Sequence, residues 1–205
     1  MKIDRREFLK KAGLGSIAVA SLPTLANALA KPAWAQGGTN FTFLAVSRAG
    51  PAGTIAQPAH TMAMGGQGSF DPSKVGSHME GGGPFNHWTA PAAAPPVPLI
   101  ASGTWKARLL VSYKQIGTYG VAAAGILEMV VDIFRLVPSP ATIRGATLKV
   151  VGNLGPAGFV NPGEIAGYTL SIPGTDFFTG GTPGPFRPIP PDGVGIALFT
   201  TVPLG

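Results

Sequence analysis

The stretch that decides the fold is residues 103–114, which read Gly103-Thr104-Trp105-Lys106-Ala107-Arg108-Leu109-Leu110-Val111-Ser112-Tyr113-Lys114. Successive side chains of an extended chain point to opposite faces. One face would carry the apolar and aromatic residues Trp105, Ala107, Leu109, Val111 and Tyr113. The other face would carry Lys106, Arg108, Ser112 and Lys114. This alternation predicts a strand with one face in the core and one in water.

The next apolar block, residues 126–137, fits two patterns. As a helix it has an apolar stripe of Ile126, Met129, Val130, Ile133, Leu136 and Val137, opposite Glu128, Asp132 and Arg135. As a strand it has one face of Leu127, Met129, Val131 and Ile133. Its β-branched residues and the Pro138-Ser139-Pro140 stop favour the strand. In that case Lys106 and Arg108 are possible cross-strand partners for Glu128 and Asp132.

Eight further segments have strand-forming composition between Gly and Pro clusters: 40–48, 60–65, 68–70, 75–80, 83–89, 146–151, 165–172 and 195–202. We therefore expect an all-β fold, a single-domain β-sandwich or closed barrel of about eight to ten strands. Residues 90–98 predict an extended Pro-rich loop. Residues 173–193, rich in Gly and Pro, cannot form a central strand. They predict either an ordered loop held by Phe177, Phe178 and Phe186 or a mobile cover.

The N-terminus carries a targeting pattern. Asp4-Arg5-Arg6-Glu7-Phe8-Leu9-Lys10 resembles the twin-arginine signal consensus, with Arg5, Arg6, Phe8, Leu9 and Lys10 at the recognised positions. Asp4 departs from the commoner Ser or Thr. A mildly apolar stretch follows, and Ala33-Trp34-Ala35 predicts cleavage before Gln36, with Ala28-Leu29-Ala30 as the alternative.

This resemblance implies two regions and a route. Residues 1–35 would be a removable signal helix, and residues 36–205 an exported domain in the periplasm or outside the cell. The partners during export would be the twin-arginine translocase and a signal peptidase. No stable membrane span is expected in the mature protein, because Glu128, Asp132 and Arg135 interrupt its longest apolar run.

Charge and cysteine content exclude several classes. The net charge of +6 falls mainly on the first 35 residues, which hold six basic and two acidic residues. The remaining basic residues are scattered singly, so nucleic acid is not an expected partner. The absence of cysteine excludes disulfides, iron–sulfur clusters, Cys-ligated zinc and blue-copper centres. It also suits a protein that completes folding in a reducing compartment before export.

One pattern points to metal chemistry. On a strand, His60, Met62 and Met64 project from the same face. Imidazole and thioether donors suit copper, particularly Cu(I). His78 and His87 are the other histidines, so a site built from His60, His78 and His87 with Glu80 or a methionine is one interpretation. The alternative is that the methionines fill the core and the histidines lie in turns.

Motifs for catalysis are weak. Glu128 and Asp132 on one strand would lie roughly 13 Å apart, too far for joint acid–base work. No Gly-x-Ser-x-Gly elbow exists, so a hydrolase or isomerase would need a site assembled from distant residues. Gly81-Gly82-Gly83 lacks the Lys-Ser/Thr end of a phosphate loop and predicts a hairpin or bulge. The aromatic residues Trp88, Trp105, Tyr113 and Tyr119 either pack the core or line a ligand cavity.

A resemblance covers much of the remaining chain. Its motifs, in order, are Gly66–Pro72 (G-x-G-x-F-D-P), Gly81–His87 (G-G-G-x-F-x-H), Gly103–Ala107 (G-T-W-K-A) and Ala146–Val150 (A-T-L-K-V). This order is similar to that of a group of small exported bacterial β-proteins without established activity, and it implies no catalytic residues. We expect a non-enzymatic binding or structural β-domain. The alternatives are a copper-type metal-binding protein and a hydrolase or isomerase.

Overall fold

The computed structural model describes residues 38–49, 60–89, 99–153, 163–173, 185–188 and 194–201. The predicted signal peptide with its cleavage site, the Pro-rich loop 90–98 and most of loop 173–193 lie outside these residues. Within them every regular element is a strand, and residues 126–137 are strand rather than helix. No helix in this part of the chain has the length and apolar character needed to cross a membrane.

Nine strands form the described domain, which confirms the prediction of an all-β fold. They are β1 (Thr39–Ala49), β2 (His60–Phe70), β3 (Glu80–Thr89), β4 (Leu99–Tyr119), β5 (Ala122–Val137), β6 (Ala141–Gly152), β7 (Gly167–Ser171), β8 (Arg187–Pro188) and β9 (Val194–Thr201).

The strands join into one antiparallel sheet in the order β4-β3-β2-β1-β9-β5-β6-β7. In addition, β4 pairs with β5 from Ser102↔Val137 to Tyr119↔Ala122. The series β1-β2-β3-β4-β5-β9 therefore returns to its first strand and closes a ring. On the far side, β7 returns towards β1 through the Leu170–Phe186 bridge and β8. Closure leaves the ring strands few unpaired edges and gives the sheet a defined interior.

Trp105 occupies the centre of this interior. Its side chain is 2% exposed, and its indole Nε1 donates a hydrogen bond to the carbonyl oxygen of Gly65 at 2.9 Å. The rings of Phe43 and Phe41 lie 5.8 and 6.5 Å from it, centroid to centroid. Burying each such side chain contributes about 1.5–3 kcal/mol, so the aromatic cluster is a main source of stability.

The glycines of β2 and β3 make room for these rings. A Cβ at Gly66 would overlap the Trp105 ring, and a Cβ at Gly68 would overlap Phe41 and the backbone of Glu80. Residues 60–65 and 68–70, predicted as two strands, are therefore one continuous strand. Gly81-Gly82-Gly83 likewise continues β3 instead of forming the predicted hairpin or bulge. At Gly81 the ring of Phe41 occupies the space that a side chain would need, whereas at Gly82 and Gly83 the backbones of neighbouring strands occupy it.

Bulges in β4 overturn the strict alternation predicted for residues 103–114. The pairing with β5 shifts between Ala107 and Leu109 and again between Leu110 and Ser112. Each bulge inserts one residue and changes which face the next side chains occupy. Leu110 is therefore buried, whereas Leu109 and Val111, predicted to face the core, are 36% and 38% exposed.

The segment between β2 and β3 is a turn, so the strand predicted at residues 75–80 is wrong except for Glu80. Asp71 Oδ1 accepts hydrogen bonds from the backbone N–H of Ser73 at 3.0 Å and from its hydroxyl at 2.7 Å. These bonds, helped by Lys74, lower the pKa of Asp71 to about 2. Gly76 follows with a φ of 83°, a conformation that favours glycine and ends any extended run.

Candidate functional site

Strand β2 places His60, Met62 and Met64 on one face. Met62 and Met64 are each 1% exposed and belong to the core. His60, the first residue of β2, is only partly buried. The two-residue spacing therefore turns both thioethers inward and leaves the first imidazole at the rim.

The pairing of β2 with β3 brings a second imidazole to this point. His87 stands directly opposite Met62 in the register and is 0% exposed. Its Nε2 lies 3.0 Å from Nδ1 of His60, which is hydrogen-bond distance, and the two ring centroids are 5.0 Å apart. Two histidines 27 positions apart in sequence are thus in direct contact.

We call the group His60, Met62, His87 and Phe186 the histidine end. The ring of Phe186 meets His87 edge-on, at a centroid distance of 5.5 Å and an interplanar angle of 88°. Across the strands, His87 faces Ala101 and His60 faces Ala49, and both alanines are buried. Each imidazole therefore has a buried alanine as one of its two cross-strand neighbours.

Two hydrogen bonds fix the backbone beneath this site. The hydroxyl of Tyr168 donates to the carbonyl oxygen of Met62 at 2.7 Å. The hydroxyl of Ser47 donates to the carbonyl oxygen of Tyr168 at 2.6 Å. Both side chains are fully buried, and burial raises the pKa of Tyr168. These bonds tie β1, β2 and β7 together and hold Met62 in place.

Burial also decides the charge of the two imidazoles. It lowers the pKa of His87 to about 3, with the neighbouring His60 as a smaller cause of the same sign. Burial lowers the pKa of His60 as well. At neutral pH both rings are therefore neutral, and one facing nitrogen donates its proton to the lone pair of the other.

The structure does not bring His78 to this pair. His78 lies in the turn that follows β2, whereas His60 is the first residue of β2. The length of the strand puts roughly 30 Å between the two histidines. It is exposed, and its Nδ1 lies 3.3 Å from the carbonyl oxygen of Arg108. Glu80 is also exposed at that end. Among the described residues, no group of three His, Asp or Glu side chains is placed to hold a metal ion.

The carboxylates predicted to share partners take different ones. Asp132 Oδ2 lies 3.3 Å from Nε of Arg108, and its Oδ1 accepts from the backbone N–H of Gly145. Glu128 accepts instead from the hydroxyl of Ser112 at 3.3 Å. The expected Arg108–Asp132 pair is confirmed, whereas Glu128 does not pair with Lys106 or Arg108. Both carboxylates have structural partners.

The opposite end of the interior is aromatic, and we call Phe41, Phe70, Tyr113 and Phe199 the tyrosine end. The Tyr113 ring lies 4.9 Å from Phe70 and 5.3 Å from Phe199, centroid to centroid. Its hydroxyl is buried and has no hydrogen-bond partner among the described residues. Burial raises the pKa of Tyr113 to about 12.

Sequence reasoning missed Phe186 of the histidine end and the two residues that fix the backbone beneath it, Ser47 and Tyr168. Ser47 and Tyr168 act through hydrogen bonds that span 121 and 106 positions, which no local pattern announces. Phe186 was considered only as an anchor of loop 173–193. In the sequence, Phe186 is an aromatic residue among glycines and prolines, and this pattern does not predict that it contacts His87.

Comparison with known proteins supplies no relative: no family model, no curated protein and no solved structure matches the chain. The resemblances to twin-arginine signals and to small exported β-proteins therefore stay predictions.

Proposed function

We propose that this chain is an exported, non-enzymatic binding protein. Its closed sheet serves as a rigid scaffold, and its binding site is the histidine end. The observation that carries the proposal is the contact of two imidazole nitrogens, 3.0 Å apart, at the rim of the hydrophobic core.

The export part rests on the sequence. The paired Arg5 and Arg6 and the Ala33-Trp34-Ala35 site together have the order of a twin-arginine signal. Strand β1 begins at Thr39, so cleavage before Gln36 would remove none of the described domain. The absence of cysteine is compatible with folding before export.

The binding part rests on free energy. A fully buried imidazole loses its hydration, and an apolar ring of similar size would fill the same space without that loss. At the tyrosine end, the rings of four aromatic residues fill the interior in this way. Retaining two imidazoles and a thioether at the other end is best explained by a ligand that uses their donor atoms.

The described carboxylates favour binding over catalysis. Asp71 pairs with Lys74, Asp132 with Arg108, and Glu164 with Lys149. A general base needs a free lone pair near a reacting group. Of the other two described carboxylates, Glu80 is exposed near the turn after β2 and Glu128 accepts a hydrogen bond from Ser112, so none of the five belongs to the histidine end.

Native mass spectrometry of the protein recovered from its export compartment tests binding. We expect the natural chain to carry a non-covalent adduct that is lost in the double variant His60→Phe/His87→Phe. The control variant Tyr113→Phe alters the opposite end and should keep the adduct. A natural chain without any adduct, or one equally retained by the double variant, contradicts the proposal.

Export is tested separately. Replacing Arg5 and Arg6 by lysine keeps the charge but removes the guanidinium groups, so the protein should accumulate inside the cell uncleaved. Undiminished export of that variant contradicts the assignment of a twin-arginine signal.

A further inference from the structure

We propose that His60, Met62 and His87 form a three-ligand site for a soft monovalent metal ion, Cu(I) in a cell. The inference rests on the proposed binding function and names the class of ligand. Its donors would be Nδ1 of His60, Nε2 of His87 and the thioether sulfur of Met62.

The distance between the two nitrogens suits a shared metal ion. With metal–nitrogen bonds of about 2.0 Å, a 3.0 Å separation corresponds to an angle of roughly 97° at the metal. Widening it to the trigonal value of about 120° requires the nitrogens to separate by about half an ångström. It also requires the rings to turn by roughly 30° from the N···N line, so that both lone pairs point at the metal. His60 is the partly exposed member of the pair, so its ring is the one that would make this movement.

The third donor follows from the register. Met62 and His87 are directly opposite each other in an antiparallel pair, so their Cβ atoms are about 5 Å apart on one face. His60 and Met62 are two positions apart on that same face. The register therefore places the Met62 side chain beside both imidazoles, and the Tyr168 hydrogen bond to the Met62 carbonyl fixes the strand at this residue. Met64 stands one pair further in, opposite Phe85.

The donor set selects the kind of ion. All three ligands are neutral side chains, so none of them offsets the charge of a bound ion. An ion of charge +2 would place two uncompensated charges in an apolar interior, which is far more costly than one. Thioether and imidazole donors, low coordination number and single charge together favour Cu(I) over Zn²⁺ or Cu²⁺.

Binding requires a proton to move but none to be lost. In the metal-free protein one of the two facing nitrogens carries the hydrogen of the hydrogen bond. When the metal takes both lone pairs, that proton moves through solvent to the other nitrogen of the same ring. Both imidazoles stay neutral, no bond to carbon changes, and the ion enters as Cu(I) without an oxidation or reduction step.

Anaerobic titration with Cu(I) in competition with a chromogenic Cu(I) chelator tests the site. We expect one Cu(I) per chain, and one Ag(I) per chain as a redox-inert substitute. His60→Ala should weaken Cu(I) binding by about 100-fold or more, since one of two imidazole ligands is lost. Met62→Leu, which nearly conserves volume, should weaken it by about 10-fold or more.

The matched control is Met79→Leu. Met79 is as deeply buried as Met62 but lies in the turn after β2, at the other end of the interior. Its replacement should leave Cu(I) affinity unchanged. His60 is partly exposed, so His60→Ala should fold even if a variant of the buried His87 does not; circular dichroism of each variant checks this.

Two results overturn the inference: no Cu(I) or Ag(I) retained against the chelator, or stoichiometric binding that His60→Ala and Met62→Leu leave unchanged. Neither result touches the proposed function, because a different adduct lost in His60→Phe/His87→Phe would still support binding at the histidine end. An adduct that the variant His60→Phe/His87→Phe retains would instead refute both the proposed function and the metal site.

Discussion

The two ends of the interior share strand β2 but differ in their chemistry. At the tyrosine end, Phe70, Tyr113 and Phe199 pack ring against ring, and the hydrophobic effect accounts for the arrangement. At the histidine end, His60 and His87 meet through nitrogen atoms. Under the proposed function, the tyrosine end serves stability and the histidine end binds a ligand.

The largest effect should come from the centre that both ends share. Trp105→Ala removes the ring packed against Phe41 and Phe43 and the hydrogen bond to Gly65. We expect the free energy of unfolding to fall by about 3–5 kcal/mol, measured by urea denaturation. Retention of natural stability would show that the ends do not depend on a common core.

Exchanging a polar ring for an apolar one at each end sharpens the comparison. His87→Phe and Tyr113→Phe should each leave the free energy of unfolding of the metal-free protein within about 1 kcal/mol of the natural value, because each removes a buried polar group. Only His87→Phe should abolish Cu(I) binding. Urea denaturation and the Cu(I) titration measure the two properties. Equal loss of binding in both variants would contradict the division between ends.

The two ends should respond to opposite changes of pH in the metal-free protein. For His87 the pKa is 6.5 in the unfolded chain and about 3 in the folded one, so only the unfolded chain binds a proton between these values. Stability is full above pH 6.5 and falls as the pH is lowered towards 3. His60 contributes with the same sign, and Asp71 adds its own loss only below about pH 3.8.

For Tyr113 the pKa rises from 10 to about 12 on folding, so stability is full below pH 10 and falls as the pH rises towards 12. Chemical denaturation across pH measures both losses. His87→Phe should flatten the change between pH 6.5 and 4, and Tyr113→Phe should reduce the change above pH 10. The account would be refuted if His87→Phe changed only the loss of stability above pH 10 and Tyr113→Phe changed only the loss between pH 6.5 and 4.

The smallest effect should come from the ion pair between Arg108 and Asp132. Arg108→Ala removes a partly exposed ion pair with Asp132 and should lower the free energy of unfolding by about 0.5–1 kcal/mol without altering Cu(I) affinity. Thermal or urea denaturation measures the first quantity. A fall in the free energy of unfolding as large as that of Trp105→Ala would show that this ion pair contributes as much to stability as the aromatic core.

Local patterns predicted what depends on neighbours in sequence. The alternation around Trp105 and the composition of residues 126–137 identified β4 and β5. The two-residue spacing placed His60 and Met62 on one face. In contrast, the bulges that expose Leu109 and Val111 depend on how β4 pairs with β5. The sequence of one strand alone does not determine that pairing.

The same limit applies to the site. Of the three histidines, the sequence could not tell which two would meet, because contact depends on the β2–β3 register and on the position of the turn. The glycines of β2 and β3 have the composition of turns and strand ends. In the structure, Gly66, Gly68 and Gly81 instead lie within strands and leave room for the rings of Trp105 and Phe41. Only the closed sheet brings those rings and glycines together.

The central claim is that His60 and His87 are hydrogen-bonded to each other, and nitrogen-15 magnetic resonance of the imidazoles measures this directly. The account predicts a scalar coupling across the hydrogen bond between Nδ1 of His60 and Nε2 of His87, replaced by nitrogen–silver couplings at both atoms when one Ag(I) is added. Two imidazoles without mutual coupling, each titrating at the ordinary pKa of a solvated histidine, would contradict it.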